Sequence, residues 1–282
     1  MKNIHFPLLV LSLFAGLFCS NGQDPVQRSA LGNNNERKAD SLLVQRFTPP
    51  PGFARKPVDS SSFAHFLRQL PLKPNGSKVR YFDGEEKENL GVYDAVVDLP
   101  IGRKDLHQCA DAVIRLRAEY LWRSGQFDKI SFHFTNGFQV DYDRWRKGGR
   151  VQVKQNKTNW VDTAAPSDSY KTFWVYLETI FSYAGTLSLS KELRSKTIAD
   201  LQIGDVFIRG GSPGHAVIVV DMAENSGGEK VFLLAQSYMP AQEIQILKNP
   251  NDAALSPWYS TSFGERLNTP EWGFLRTELK GF

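Results

Sequence analysis

The sequence predicts an α+β fold in which helices pack against an antiparallel, meandering sheet. Three observations predict it. Residues 204–238 read as three short apolar strands joined by two glycine-rich turns. Residues 106–123 and 169–183 carry apolar side chains at helical spacing. Short runs at 78–83, 91–99, 129–134 and 244–247 read as further strands between and after those helices. No internal repeat or low-complexity tract interrupts the pattern.

The chain has 282 residues, 41% hydrophobic and 23% charged, which fits a globular protein of one large domain or two small ones. The formal charge is +4, and Lys2 supplies one unit of it. The remaining basic residues are scattered, with no aromatic-and-basic stripe, so no nucleic-acid partner is expected.

Residues 1–22 read as a signal peptide. Lys2 gives the positive start, residues 7–18 are nearly all apolar, and Ser20 and Gly22 are small residues at −3 and −1 of a cleavage site before Gln23. The apolar run is short of the ~20 residues that cross a bilayer. Export to the periplasm or cell surface is therefore expected, with no transmembrane segment in the mature chain. A lipid anchor on Cys19 is the alternative, disfavoured by bulky Phe18 directly before it. Cleavage would remove Cys19 and leave Cys109 with no disulfide partner in an oxidising compartment.

Residues 23–47 read as a polar linker, and the Pro49-Pro50-Pro51-Gly52 run as the stiff start of a single domain, 48–282. Asp59 and the serines after it offer caps for a helix that Pro71 stops. The 106–123 helix is expected to open at Asp105 and close at Gly125, with Cys109, Val113, Leu116 and Tyr120 on its apolar stripe. Asn136-Gly137 marks a turn, and 139–157 is aromatic and basic. The 169–183 helix reads as buried and central, with Gly185 as its C′ residue, and 274–282 as a last strand.

Cys109 lies near a helix start, where the macrodipole and unpaired N–H groups favour the thiolate, the reactive form. His215 stands at the mouth of the middle strand of 204–238. A turn symmetric about Asn225 and Ser226 pairs Asp221 with Lys230, and sets His215 opposite Gln236. An amide beside an imidazole can fix its tautomer, as the third member of a nucleophile–base–orienter set does.

Residues 210–214 match G-x-S-x-G, but Pro213 has no N–H to give an oxyanion and the segment opens a strand, not a helix. Ser212 is therefore rejected as a nucleophile. His65, His107 and His133 read as structural, and Asp205 and Asp221 as turn or edge residues. No metal-ligand spacing or phosphate loop is present, so no metal or cofactor is expected. Trp145, Trp160, Tyr238, Trp258 and Tyr259 could line a groove for a glycan or peptide.

A helix beginning at a cysteine, then Gly-Asp-Val-Phe-Ile, a glycine turn and Gly-His-Ala-Val-Ile-Val-Val-Asp resembles the NlpC/p60-type papain-like cysteine hydrolases. Many of these cut amide bonds in bacterial cell-wall peptides. The resemblance implies a papain-like sheet and helices, with a hydrolase core at about 90–248 and 169–183 as an inserted helix. It implies Cys109 as nucleophile, His215 as base and Gln236 as orienter. The backbone N–H of Cys109, with Tyr93 or Gln108, would form the oxyanion site. Gln108 stands where that family has Asp or Asn, and Ala110-Asp111 where it has Ser-Gly. A non-catalytic envelope protein that binds glycan or peptide is the alternative. Separately, the strings QCADAVIRLRAEYLW, FTNGF, YAGTLSLSKEL and LLAQSYMPAQEIQILKNP are similar to the domain-of-unknown-function-4846 family of exported bacterial proteins.

Overall fold

The computed structural model describes residues 41–282. The signal peptide, Cys19 and most of the polar linker lie outside the described residues. The last part of that linker is folded: α1 (Leu43–Arg46) buries Leu43, and Leu42 bridges to Pro71. β1 (Phe53–Ala54) follows the prolines. α2 (Phe63–Arg68) begins where the Ser62 hydroxyl accepts the His65 N–H at 3.1 Å.

Residues 78–83 do not form the expected strand. The charged loop after them folds back, leaving isolated bridges from Arg80 to Glu86 and from Tyr81 to Gln242. β2 (Tyr93–Val96) is the regular part of 91–99. α3 (Cys109–Arg123) starts three residues later than its apolar pattern suggests. Asp105 does not cap it, because its carboxylate accepts the Ala241 N–H at 2.7 Å and the Gln108 side-chain amide at 3.1 Å. Gly125, at φ +68°, follows its end as expected.

β3 (Ser131–His133) and β4 (Gln139–Asp141) form a hairpin around Asn136-Gly137. The aromatic and basic stretch becomes α4 (Tyr142–Arg146) and a second hairpin, β5 (Gly149–Lys154) with β6 (Lys157–Asp162). α5 (Tyr170–Tyr183) is capped by Ser169, which accepts the Thr172 N–H at 3.2 Å. It is amphipathic, burying Phe173, Tyr176, Leu177 and Ile180 while Val175 and Tyr183 stay exposed. Gly185 has an extended backbone, not a left-handed one, because it opens the next helix, α6 (Thr186–Glu192).

β7 (Arg194–Ser195), β8 (Val206–Arg209), β9 (His215–Asn225), β10 (Lys230–Gln236) and β11 (Gln245–Leu247) follow. The tail gives β12 (Tyr259–Ser260), β13 (Arg266–Asn268), β14 (Gly273–Leu275) and β15 (Leu279–Gly281). A 3-10 turn at Arg276–Glu278 breaks the single last strand expected there.

The main sheet is antiparallel in the order β2-β11-β10-β9-β8-β15-β7, with β1 joined to β9 and β12 to β10. The fold is therefore α+β around one large sheet. Strand alternation divides the core. Ala216, Ile218, Val231, Leu233 and Ala235 face the helices, while Val217, Val219, Phe232 and Leu234 face Phe207, Tyr259, Phe274 and Leu279.

The register of the central hairpin differs from the symmetric one. Lys230 pairs with Glu224 and Leu233 with Asp221; beyond a bulge, Leu234 pairs with Val219 and Ala235 with Ile218. The turn thus slips the pairing by three residues at its own end, and the extra residue in β9, Val220, reduces the slip to two. An odd slip turns every side chain to the opposite face, and an even one does not. Continuing the register sets Gln236 opposite Val217, diagonal to His215 on the same face. The bulge restores the pairing of faces that the turn would have destroyed.

The bulge also moves Asp221 inside. It is neither an edge residue nor the partner of Lys230. It is fully buried and accepts from Arg55 Nε and Arg68 Nε, each at 2.7 Å, and from the Met222 N–H at 2.8 Å.

Candidate active site

α3 packs its N-terminal end across the start of β9, and a cavity of about 370 Å³ opens there. Cys109, Asp111, His215, Tyr238, Met239 and Trp272 line it, together with the glycine turn 211–214. Glycine is required in that turn: a Cβ on Gly214 would stand 2.4 Å from the Gly211 carbonyl oxygen and 2.5 Å from Thr186 Oγ1. The turn is therefore pressed against α6, and it fixes the approach of the chain to His215.

His215 is buried, with its ring between Tyr238 (4.8 Å between centroids), Trp272 (5.5 Å) and Phe274 (5.9 Å). Its Nε2 lies 2.8 Å from Gln236 Oε1. The Gln236 amide nitrogen donates to Glu271 Oε2 at 2.6 Å, and Lys87 Nζ donates to both Glu271 oxygens at 2.8 Å. A carboxylate only accepts, so Glu271 turns the amide nitrogen toward itself and the amide oxygen toward His215. The imidazole then carries its proton on Nε2. Nδ1 is left as the lone-pair nitrogen of a ring that lines the same cavity as the thiol.

The charge states follow from burial. Cys109 is 9% exposed, and desolvation pushes its thiol up to about 11, with the Asp111 charge adding to the effect. Backbone N–H groups of Ala110, Ala216 and Cys109 pull the other way and lose. The helix start therefore does not yield the lowered thiol expected from its dipole. Burial also takes His215 down to about 4, against the hydrogen bond it donates to the Gln236 amide oxygen. At neutral pH both groups rest uncharged, as thiol and imidazole.

The remaining expected site residues divide clearly. Gln108 lines the cavity wall, with its side-chain amide donated to Asp105. Tyr93 lies in the apolar cluster on the sheet face turned away from the helices, where its hydroxyl accepts the Val79 N–H at 3.0 Å. It does not line the cavity. Of the aromatic groove residues, Tyr238 alone does so. Trp145 is buried and donates to the Thr172 carbonyl at 3.2 Å, Trp258 is buried and donates to the Thr48 carbonyl at 3.1 Å, and buried Tyr259 bonds the Lys248 carbonyl. Trp160 packs against Phe138 and Arg144. These rings are large enough to be taken up by the core they cap.

Glu271, Lys87 and Asp111 escaped the sequence reading. Glu271 and Lys87 come from loops far from Gln236 and carry no periodic signal. Asp111 had one: His107, Asp111, Arg115 and Glu119 recur every four residues, a series of ionisable groups that starts just before α3 and continues along one side of it, and all four are buried. His107, read as structural, packs on Phe181 with Nδ1 3.4 Å from the Gln242 carbonyl oxygen.

Burial drives His107 down to about 3. His107 and His215 both fall below the ordinary 6.5, so their neutral forms stabilise the fold above pH 6.5. That contribution is lost as pH falls toward 4 and then 3. At about 1.4 kcal/mol per unit, the cost is expected to reach on the order of 3 kcal/mol for His215 and 5 kcal/mol for His107 once pH has fallen through each window. Urea denaturation at pH 7 and pH 4.5 checks this, and equal stability at the two would contradict it.

Among the described residues, no group of three or more His, Cys, Asp or Glu is placed to hold a metal ion, and no helix is long and apolar enough to cross a membrane. The model of the family described as "Domain of unknown function (4846)" matches residues 43–281. The chain belongs to that family. The match spans the folded region from α1 to β15, including the cavity and the series along α3. No curated protein and no solved structure matches the chain.

Proposed function

We propose that this member of the 4846 family is an exported cysteine hydrolase or amidase of papain-like, NlpC/p60-related type, acting on an amide or ester bond of a cell-wall peptide. One observation carries the reading: His215, with Nε2 fixed on Gln236, lines the cavity that the free thiol of Cys109 also lines. Such a pairing of thiol, imidazole and amide matches the demands of nucleophilic acyl transfer. Residues 1–22 support export.

His215 Nδ1 takes the thiol proton as sulfur attacks the carbonyl carbon. The resulting alkoxide collapses, the C–N bond breaks, and the imidazolium returns the proton to the leaving amine. A thioester remains on Cys109. Water, deprotonated by His215, then attacks it and releases the acid and the thiol. Because both groups rest neutral, the base works during attack and not by storing a thiolate beforehand.

The second reading is a non-catalytic envelope protein that holds a peptide or glycan. Tyr238, Trp272 and Met239 on the cavity wall favour it. Incubating purified protein with cell-wall fragments, with Cys109→Ala as control, separates the two. Cleavage by the native protein alone supports the hydrolase. Binding by both proteins without cleavage supports the holder.

A further inference from the structure

We propose that Lys87 and Glu271 are positioning residues for His215: through Gln236, a chain of one-way hydrogen bonds that begins at Lys87 decides which ring nitrogen is free to act as base. The use of that nitrogen on Cys109 rests on the hydrolase reading; the setting of the tautomer rests on the geometry below.

Three segments far apart in sequence converge behind the imidazole. Gln236 ends β10, Lys87 follows the bridge between Arg80 and Glu86, and Glu271 stands in the turn between β13 and β14. That turn is pinned by Thr269, whose N–H and hydroxyl both donate to the Trp272 carbonyl, at 2.7 and 2.9 Å. It delivers Glu271 to the Gln236 amide, and Trp272 to the His215 ring and the cavity wall. Lys87 is 4% exposed, and its Nζ meets three acceptors: both Glu271 oxygens at 2.8 Å and Gln242 Oε1 at 3.1 Å.

Each link runs in one direction only. An ammonium group has donors and no acceptor, and the three acceptors around Lys87 match its three N–H bonds. The Glu271 carboxylate, paired with that ammonium, accepts from both of its neighbours. The Gln236 amide therefore gives its nitrogen to Glu271 at 2.6 Å and its oxygen to His215 Nε2 at 2.8 Å. An amide cannot reverse at one end without reversing at the other, so the sense set at Lys87 reaches the ring. Nε2 must donate, and Nδ1 keeps its lone pair.

Stability is a poor account of this arrangement. A buried ion pair is often matched by apolar residues of similar volume, because desolvation offsets the attraction. What the pair supplies is direction. An amide orienter by itself has no preferred sense, since it offers a donor and an acceptor alike. Glu271 and Lys87 give Gln236 the sense that a carboxylate orienter would carry in its own right. The sense matters: in a nucleophile–base–orienter set, an imidazole held in the wrong tautomer costs about 10⁴ in rate with the geometry intact.

The test reads the tautomer directly, by long-range proton–nitrogen NMR of protein labelled with nitrogen-15 in its histidines, at about pH 8.5 where the ring is neutral. The signals lost in His215→Ala assign the ring. The native protein is expected to carry the proton on Nε2. In Glu271→Gln the introduced amide turns its oxygen to Lys87 and its nitrogen to Gln236, so Gln236 reverses and the proton moves to Nδ1. Exchanging the two residues, Gln236→Glu with Glu271→Gln, restores an acceptor facing the ring and returns the proton to Nε2. A native ring protonated on Nδ1, an Nε2 proton retained in Glu271→Gln, or an Nδ1 proton persisting in the exchanged protein overturns the proposal. The native measurement needs no substitution, so a variant that fails to fold leaves the test standing. Iodoacetamide labelling of Cys109 at pH 7 is read separately, and Glu271→Gln should fall to the His215→Ala rate, about tenfold below native. The expected tautomers with unchanged labelling keep the positioning chain and remove the hydrolase reading.

Discussion

Asp221→Ala is expected to destabilise the fold by about 3–5 kcal/mol, because it leaves two arginines without their shared counter-charge. The Asp221 side chain is fully buried, and those of Arg68 and Arg55 are 8% and 18% exposed. Arg68 also donates to the Lys56 carbonyl at 2.8 Å and the Met222 carbonyl at 3.0 Å, so it cannot swing into water without breaking both. The carboxylate ties α2 and the chain after β1 to the bulge in β9. Urea denaturation at pH 7 measures the loss as a shift in midpoint. A change under 1 kcal/mol would mean that the arginines find other partners. Because the same bulge brings Gln236 to the face of His215, Asp221→Ala should also lower any thiol reactivity that depends on His215.

The second large effect is the pH dependence of alkylation at Cys109. With the thiol held near 11, only about one molecule in 10⁴ carries a thiolate at pH 7. Iodoacetamide labelling through the thiolate should therefore rise about tenfold per pH unit from pH 7 to 10 and level off near 11. His215, neutral above about pH 4, adds a pH-independent component that dominates near neutrality. The expected profile is a plateau followed by a steep rise. A midpoint at or below pH 8 would contradict the buried thiol. The shift also bears on stability. Since folding raises the thiol above its ordinary 9.0, its contribution is present below pH 9 and lost as pH rises toward 11.

Much of the site was legible because side-chain periodicity survives errors of register. Gln236 was paired with His215 from a turn symmetry that is wrong by three residues at the turn. The pairing of faces held because the bulge at Val220 made the error even. Nothing local in the sequence announces that bulge, which coincides with Asp221 meeting Arg55 and Arg68, partners more than 150 residues away.

Helix α3 was legible in extent but not at its start, where Asp105 bonds Ala241 instead of capping the helix. The thiol's charge state was misjudged for a similar reason. Helix position can be read from spacing, but desolvation is set by β9 packing over the helix end. Large aromatics are ambiguous from sequence: Trp145, Trp258 and Tyr259 fit a groove as well as a core, and the core takes them.

The central claim is that His215 acts on Cys109. Labelling of the native protein and of His215→Ala by iodoacetamide at pH 7, followed by intact mass, tests it most directly. The two proteins share the buried thiol, so the thiolate route gives both the same baseline. The native protein is expected to label at least about tenfold faster, with the Cys109→Ala protein unlabelled. Equal rates in the native protein and His215→Ala would show that the imidazole does not serve the thiol, and the hydrolase reading would fall.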